Sequence, residues 1–209
     1  MRSLVRYFID KTLPCVDTLV VSHLRQETGP YAPLHDVSLC MHRRECLALL
    51  GPTGSGRSLL LRVLTAQLPL SDGNAHLRGA DLFTHPTEFV RALGYASEGR
   101  NAVGWLTGRQ LLHHVARMRR VPSQGVKAVV EQLLRMLDLV EQAERYVAVY
   151  SGGERAKLAV ALALVGAPPV VLLDKPTDGL DPVSRRRVWH TIITFIKKTH
   201  MSVLLATDE

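Results

Sequence analysis

Residues 46–50 (CLALL) are an apolar run that leads straight into Gly51, Pro52, Thr53, Gly54, Ser55, Gly56, Arg57 and Ser58. Few local patterns constrain a chain so tightly. The apolar run suits a buried parallel strand. The glycines let the backbone turn sharply and aim successive N–H groups into one hollow. Residues 57–68 are expected to begin a helix, whose N-terminus adds partial positive charge at the same point. The octapeptide meets the phosphate-loop pattern G-x-x-x-x-G-K-[ST] except that Arg57 replaces the lysine. On this reading the loop holds nucleotide phosphates, and Ser58 offers its hydroxyl to Mg²⁺. Arg57 keeps the charge, but its guanidinium is planar, forked and bulkier than an ammonium. Weakened binding or altered geometry at the terminal phosphate is therefore expected, not complete loss.

A second run, residues 170–174 (VVLLD), reads as a central buried strand, with Pro168 and Pro169 blocking any helix that would enter it. Asp174 at its end suits a water-mediated contact to Mg²⁺. Alone, a glycine-rich turn is also a common helix start, and a strand-end aspartate is also a common turn cap. Both in one chain favour a phosphate site, and Lys175 follows directly.

Two further motifs flank that strand. Residues 150–154 (YSGGE) open the helix-forming stretch 155–165, and residues 179–182 (GLDP) follow Asp174. With these in order, the chain resembles the nucleotide-binding domain of an ABC transporter from about Val20 to its last residue. YSGGE corresponds to the signature motif usually written LSGGQ, and GLDP to the D-loop. The tract 150–189 is most similar to subfamily A, the lipid-exporter branch. The resemblance implies an α/β fold: a P-loop NTPase parallel-sheet core, an edge antiparallel β subdomain, and a small α-helical subdomain over about residues 100–155. It implies ATP and Mg²⁺ as ligands, with Tyr31 near where the family stacks an aromatic on adenine. It also implies a head-to-tail dimer with a second nucleotide-binding domain. There Ser151, Gly152, Gly153 and Glu154 would face the partner's ATP, and Asp181 would lie at the interface. Transmembrane domains would complete a transporter, with this domain at the cytoplasmic face of a membrane, coupling ATP binding and hydrolysis to transport.

The departures from the family pattern concentrate on one site. Lys175 stands where the family keeps its catalytic glutamate. An ammonium is protonated at neutral pH and accepts no hydrogen bond, whereas a general base contributes about 10²–10⁴-fold in rate. Asp208 replaces the switch histidine, bringing a carboxylate toward a phosphate. Glu98 replaces the Q-loop glutamine and retains an oxygen for Mg²⁺. Arg57, Glu98, Lys175 and Asp208 all serve the site on this chain's own phosphate loop, while YSGGE and GLDP serve the partner's. The expectation is impaired hydrolysis at the chain's own site and a contribution to a competent site elsewhere. The alternatives are a soluble ABC protein of translation or DNA repair, and a non-catalytic module that dimerises on ATP.

Length and composition agree with one α/β domain. The chain has 209 residues and only 5% aromatics. No apolar stretch of ~20 residues is present to span a membrane; residues 158–173 come closest and are split by Pro168 and Pro169. The net charge is +7, with clusters at residues 117–120 (RMRR) and 185–187 (RRR). No aromatics interleave with them as a stacking platform would require, so they read as solvated helix faces and no nucleic-acid partner is expected. Cys15, Cys40 and Cys46 lack metal-site spacing and read as reduced thiols, the latter two in core strands.

Residues 1–16 read as a linker or unstructured extension, and residues 17–209 as the domain, which stops directly after the switch position as if truncated. Strands are expected at residues 17–24, 36–41, 74–78, 93–98 and 202–207. Thr107 and Ser123 are expected to cap helices over residues 108–119 and 124–137, and residues 184–198 to form a helix with a basic face.

Overall fold

The computed structural model describes residues 3–8, 17–27, 34–97 and 104–207. The central sheet is built from β1 (Ser3–Phe8), β4 (Glu45–Leu50), β7 (Leu93–Ala96), β8 (Val170–Asp174) and β9 (Ser202–Thr207), in the order β1-β4-β9-β8-β7. The last four strands in that order run parallel. β8 is buried at each of its residues, VVLLD, which is why it carries no polar alternation. Successive side chains feed opposite layers. Leu47, Leu49, Leu172 and Leu204 join a core with α1 (Arg57–Leu64) and the second sheet. Ala48, Val171, Leu173 and Val203 join a core with four more helices. Those are α3 (Gly108–Met118), α4 (Ser123–Met136), α5 (Gly152–Leu164) and α6 (Pro182–Thr199), while the short α2 (Pro86–Arg91) precedes β7.

The second sheet is antiparallel, in the order β3-β2-β5-β6, from β2 (Asp17–Gln26), β3 (Leu34–His42), β5 (Asp72–Leu77) and β6 (Ala80–Asp81). Its apolar face, with Leu19, Val21, Leu39 and Met41 buried, covers the phosphate-loop side of the central sheet.

The structure corrects several boundaries. Residues 3–8, expected within a linker, form β1 and pair antiparallel with β4, Ser3 opposite Leu50 and Phe8 opposite Glu45. The segment SLVRYF is rich in strand-forming residues, and β4 offers it an open edge. α1 ends at Leu64, short of Leu68, because the Thr65 hydroxyl donates back to the Leu61 carbonyl and Ala66 turns to positive φ. Ser123 is the first residue of α4 and does not cap it; Pro122 holds the N-cap position. β5 begins at Asp72, two residues before the expected start at Asn74, since Gly73 at φ 90° lets the strand pass so close to β2 that a Cβ there would lie 2.3 Å from the His23 carbonyl oxygen. Asp181 starts α6 at Pro182, two residues earlier than expected. Thr107 caps α3 as expected, in a reciprocal capping box with Gln110.

Cys40 and Cys46 are half-buried. Burial, assisted by the Glu45 carboxylate, raises the Cys46 pKa to about 11, so this thiol carries little thiolate at neutral pH.

Candidate nucleotide site

β4 delivers the chain to the phosphate loop, and α1 takes it away. Gly54 and Gly56 lie at φ 84° and 88°, the left-handed region that favours glycine. At Gly56 the fit is also tight, since a Cβ would fall 2.7 Å from Leu34 Cδ2 of β3. Residues 53–58 line an open hollow of about 230 Å³. Arg57, only 5% exposed, starts α1 on its wall.

The distant halves meet at the carboxyl edge of the parallel sheet, where α/β folds place their ligands. The Ser58 hydroxyl donates to Asp174 Oδ1 at 2.8 Å, across 116 residues of sequence. Asp174 ends β8 and is 8% exposed. A hydroxyl and a carboxylate side by side are hard oxygen ligands suited to Mg²⁺, which keeps waters and substrate phosphates as its remaining ligands. Among the described residues, no cluster of three or more His, Cys, Asp or Glu is arranged to hold a metal.

Lys175 comes next, in the left-handed region at φ 48°. Its N–H donates to the Ala206 carbonyl at 2.9 Å, so β9 still grips the chain as it turns off β8. Such a conformation costs a non-glycine residue about 1–2 kcal/mol. It places Lys175 on the wall of the phosphate-loop hollow and, at the same time, on that of a neighbouring cavity of about 370 Å³. Ser97 after β7, Gly152 and Arg155 of α5, and Asp178 line that second cavity. Sequence reading missed Arg155. Its one signal was its place one helical turn after Ser151.

Ser151 caps α5. Its hydroxyl accepts from the Glu154 N–H at 3.2 Å, and the Glu154 carboxylate accepts from the Ser151 N–H at 2.7 Å. A Cβ on Gly152 would meet nothing within 4 Å, so this helix end is open to an approaching group, whereas Gly153 packs against Leu180. Beneath it, the buried Tyr150 donates its hydroxyl to the Gln142 carbonyl at 2.7 Å, tying the motif to the preceding loop. Ser151 and Gly153 do not line the phosphate-loop hollow. The chain thus carries two separate helix N-termini, those of α1 and α5, at these motifs. Tyr31, Glu98 and Asp208 lie outside the described residues.

Asp181 caps α6, accepting from the N–H groups of Val183 at 3.0 Å and Ser184 at 2.9 Å. The Ser184 hydroxyl and N–H hold its carboxyl below the ordinary value of 3.8. A depressed folded pKa means that the cap stabilises above the unfolded value and loses its contribution as pH falls through the folded one. Asp181→Ala is therefore expected to melt below wild type at pH 7, with the gap closing as the solution is acidified below 3.8. Thermal unfolding across that range is the check.

Among the described residues, no helix is long and apolar enough to cross a membrane. The model of the ABC transporter family matches residues 34–178. The chain is 36% identical over 179 residues to the retinal-specific phospholipid-transporting ATPase ABCA4 of Bos taurus, covering 85% of this chain and 8% of that protein. It is 34% identical over 172 residues to the phospholipid-transporting ATPase ABCA3 of Homo sapiens, covering 82% and 10%. It thus spans about a tenth or less of these relatives' length. Among solved structures, an ATP-binding subunit of an ABC transporter superposes with a TM-score of 0.83 at 23% identity, covering 91% of this chain and 79% of that one. A dimeric ATP-binding cassette in a post-hydrolysis state, bound to ADP and Pi, gives 0.80 at 19% identity, covering 91% and 88%. At those identities the structures speak for the fold, and the sequence match speaks for descent: the chain belongs to the ABC transporter family and carries its ATP-binding domain.

Proposed function

We propose that residues 17–209, with β1 added to the central sheet, form a nucleotide-binding domain of a phospholipid-transporting ABC protein, working at the cytoplasmic face of a membrane. It binds Mg·ATP in its own phosphate loop but hydrolyses it poorly, and it completes a competent site on a second nucleotide-binding domain. The observation that carries this reading is Lys175, at the end of β8 on the wall of the phosphate hollow. There a carboxylate is needed to orient water, and an ammonium instead pairs with phosphate. The similarity to ABCA4 and ABCA3, both phospholipid-transporting ATPases by name, supports the phospholipid class.

In this scheme Ser58 and Asp174 would hold Mg²⁺, which would supply charge neutralisation for the terminal phosphates. Residues 51–57 cradle those phosphates, Tyr31 stacks on the base, and Glu98 and Asp208 act at the γ-phosphate end. Ser151, Gly152, Gly153 and Glu154 reach the partner's ATP, and Asp181 lies at the shared interface. Residues 100–155 form the helical subdomain that presents the signature motif to the partner domain.

Titration of ATP with Mg²⁺ and with EDTA tests the assignment. Wild type is expected to prefer Mg·ATP, and Asp174→Asn, which is isosteric, to lose that preference by roughly 10–100-fold, the scale of a lost metal-site partner. Equal Mg²⁺ dependence in both proteins would remove Asp174 from the metal site.

A further inference from the structure

A separate cavity of about 400 Å³ lies at the opposite edge of the central sheet. It sits where α3, α5 and α6 end and α4 begins. Its position is fixed by Arg119, whose Nη2 donates to the carbonyl of Leu93, the first residue of β7, at 2.9 Å. α5 runs from Gly152 at the signature motif to Leu164 on this cavity's wall, a span of about 20 Å for a helix of its length.

The lining has two parts. Val121 and Pro122 from the α3–α4 connection, Val129 of α4, Leu164 of α5 and Phe195 of α6 make an apolar wall. Arg119, Arg120 and Lys198 stand around it. No acidic side chain lines the cavity. Among the described residues, none of these cations has a carboxylate within ion-pairing distance, although Arg109, Arg145 and Arg187 on the same helical layer are all so paired. Arg119 is the telling one. Burial holds its guanidinium below its ordinary pKa, and a carbonyl is a weaker partner for a desolvated cation than an anion would be. Gly166, at φ 76°, leaves room for the Arg119 stem, since a Cβ there would lie 3.2 Å from Arg119 Cβ. Arg119 and Lys198 also offset the negative ends of α3 and α6. That accounts for cations at helix ends, but not for their gathering around one shared apolar hollow.

We propose that this cavity is a binding site for a single-chain anionic amphiphile, its chain on the wall of Val129, Leu164 and Phe195 and its carboxylate or phosphate on Arg119, Arg120 and Lys198. The volume falls in the usual range for small-ligand pockets. An occupant that satisfies both parts of the lining needs both a chain and a charge.

The test uses octanoate, octanol and acetate below micellar concentrations, with calorimetric titration and thermal shift as readouts, since a ligand of the folded state raises Tm. Octanoate is expected to bind and to raise Tm, with octanol and acetate each at least about tenfold weaker, because each lacks one half of the recognition. The double variant R120Q/K198Q changes two exposed side chains outside the nucleotide site. It is expected to lose roughly tenfold or more in octanoate affinity and to leave octanol unchanged. Absence of octanoate binding, equal binding of octanoate and octanol, or unchanged octanoate affinity in the double variant would each overturn the proposal.

Discussion

Lys175→Glu is expected to raise the rate of phosphate release from Mg·ATP by about 10²-fold, the lower end of what a positioned general base supplies. The lower end applies because Arg57 and Asp208 are unchanged in this variant. Lys175 turns off β8 in the left-handed region, held by its N–H bond to Ala206. Glutamate takes that conformation at a similar cost, so the carboxylate arrives where the ammonium was, on the wall of the phosphate hollow. Two effects combine in the substitution: a positive charge leaves and a base appears. Lys175→Gln separates them, since glutamine removes the charge without supplying a base, and it is expected to stay near wild type. Equal gains from glutamate and glutamine would make charge the cause. No gain from glutamate would mean that Lys175 is not what limits turnover.

Gly94→Ala is expected to lower stability by about 3 kcal/mol or more, at the upper end of overpacking costs. Gly94 lies within β7, paired with Val171 of β8. A Cβ there would fall 2.1 Å from the Ala163 carbonyl oxygen in the last turn of α5 and 3.0 Å from Pro168 Cγ. Neither obstacle is a side chain that can rotate away. The last turn of α5 must lift from the sheet, loosening the helix that carries Ser151 at its other end. For a chain of this size the melting temperature should fall by roughly 6–12 °C. Gly125→Ala is the control. Its Cβ would meet nothing within 4 Å, and in a helix alanine is favoured over glycine by about 1 kcal/mol, so this variant should melt at or above wild type. An unchanged melting temperature in Gly94→Ala would mean that the β7–α5 approach is looser than these distances indicate.

The parts of the fold that were legible in sequence are those encoded by neighbours in the chain. The phosphate loop follows from glycine spacing after an apolar run. β8 follows from an unbroken apolar tetrapeptide leading into Asp174 behind two prolines, and the Thr107 cap from a hydroxyl ahead of a helix-forming stretch. Long-range pairings were not legible. β1 is a short segment that becomes a strand only because β4 has an open edge, and no pattern within residues 3–8 names that partner. The Ser58–Asp174 hydrogen bond was foreshadowed only by two motifs of complementary chemistry. The tie from Tyr150 to Gln142 had no sequence signal at all. A tyrosine before a signature serine could equally have pointed to solvent, and its burial depends on Gly108, whose Cβ would lie 2.2 Å from the Tyr150 hydroxyl. Arg119 read as one of a solvated basic cluster, yet the fold turns it inward to the Leu93 carbonyl.

A site that binds ATP but hydrolyses it poorly is tested most directly by following both quantities in one sample. Wild-type protein would be titrated with Mg·ATP at equilibrium while inorganic phosphate is followed over time. Saturable binding with phosphate release at least about 10²-fold below that of Lys175→Glu is the expected result. Release from wild type at the rate of the glutamate variant would contradict the account, because it would show a competent site despite Lys175.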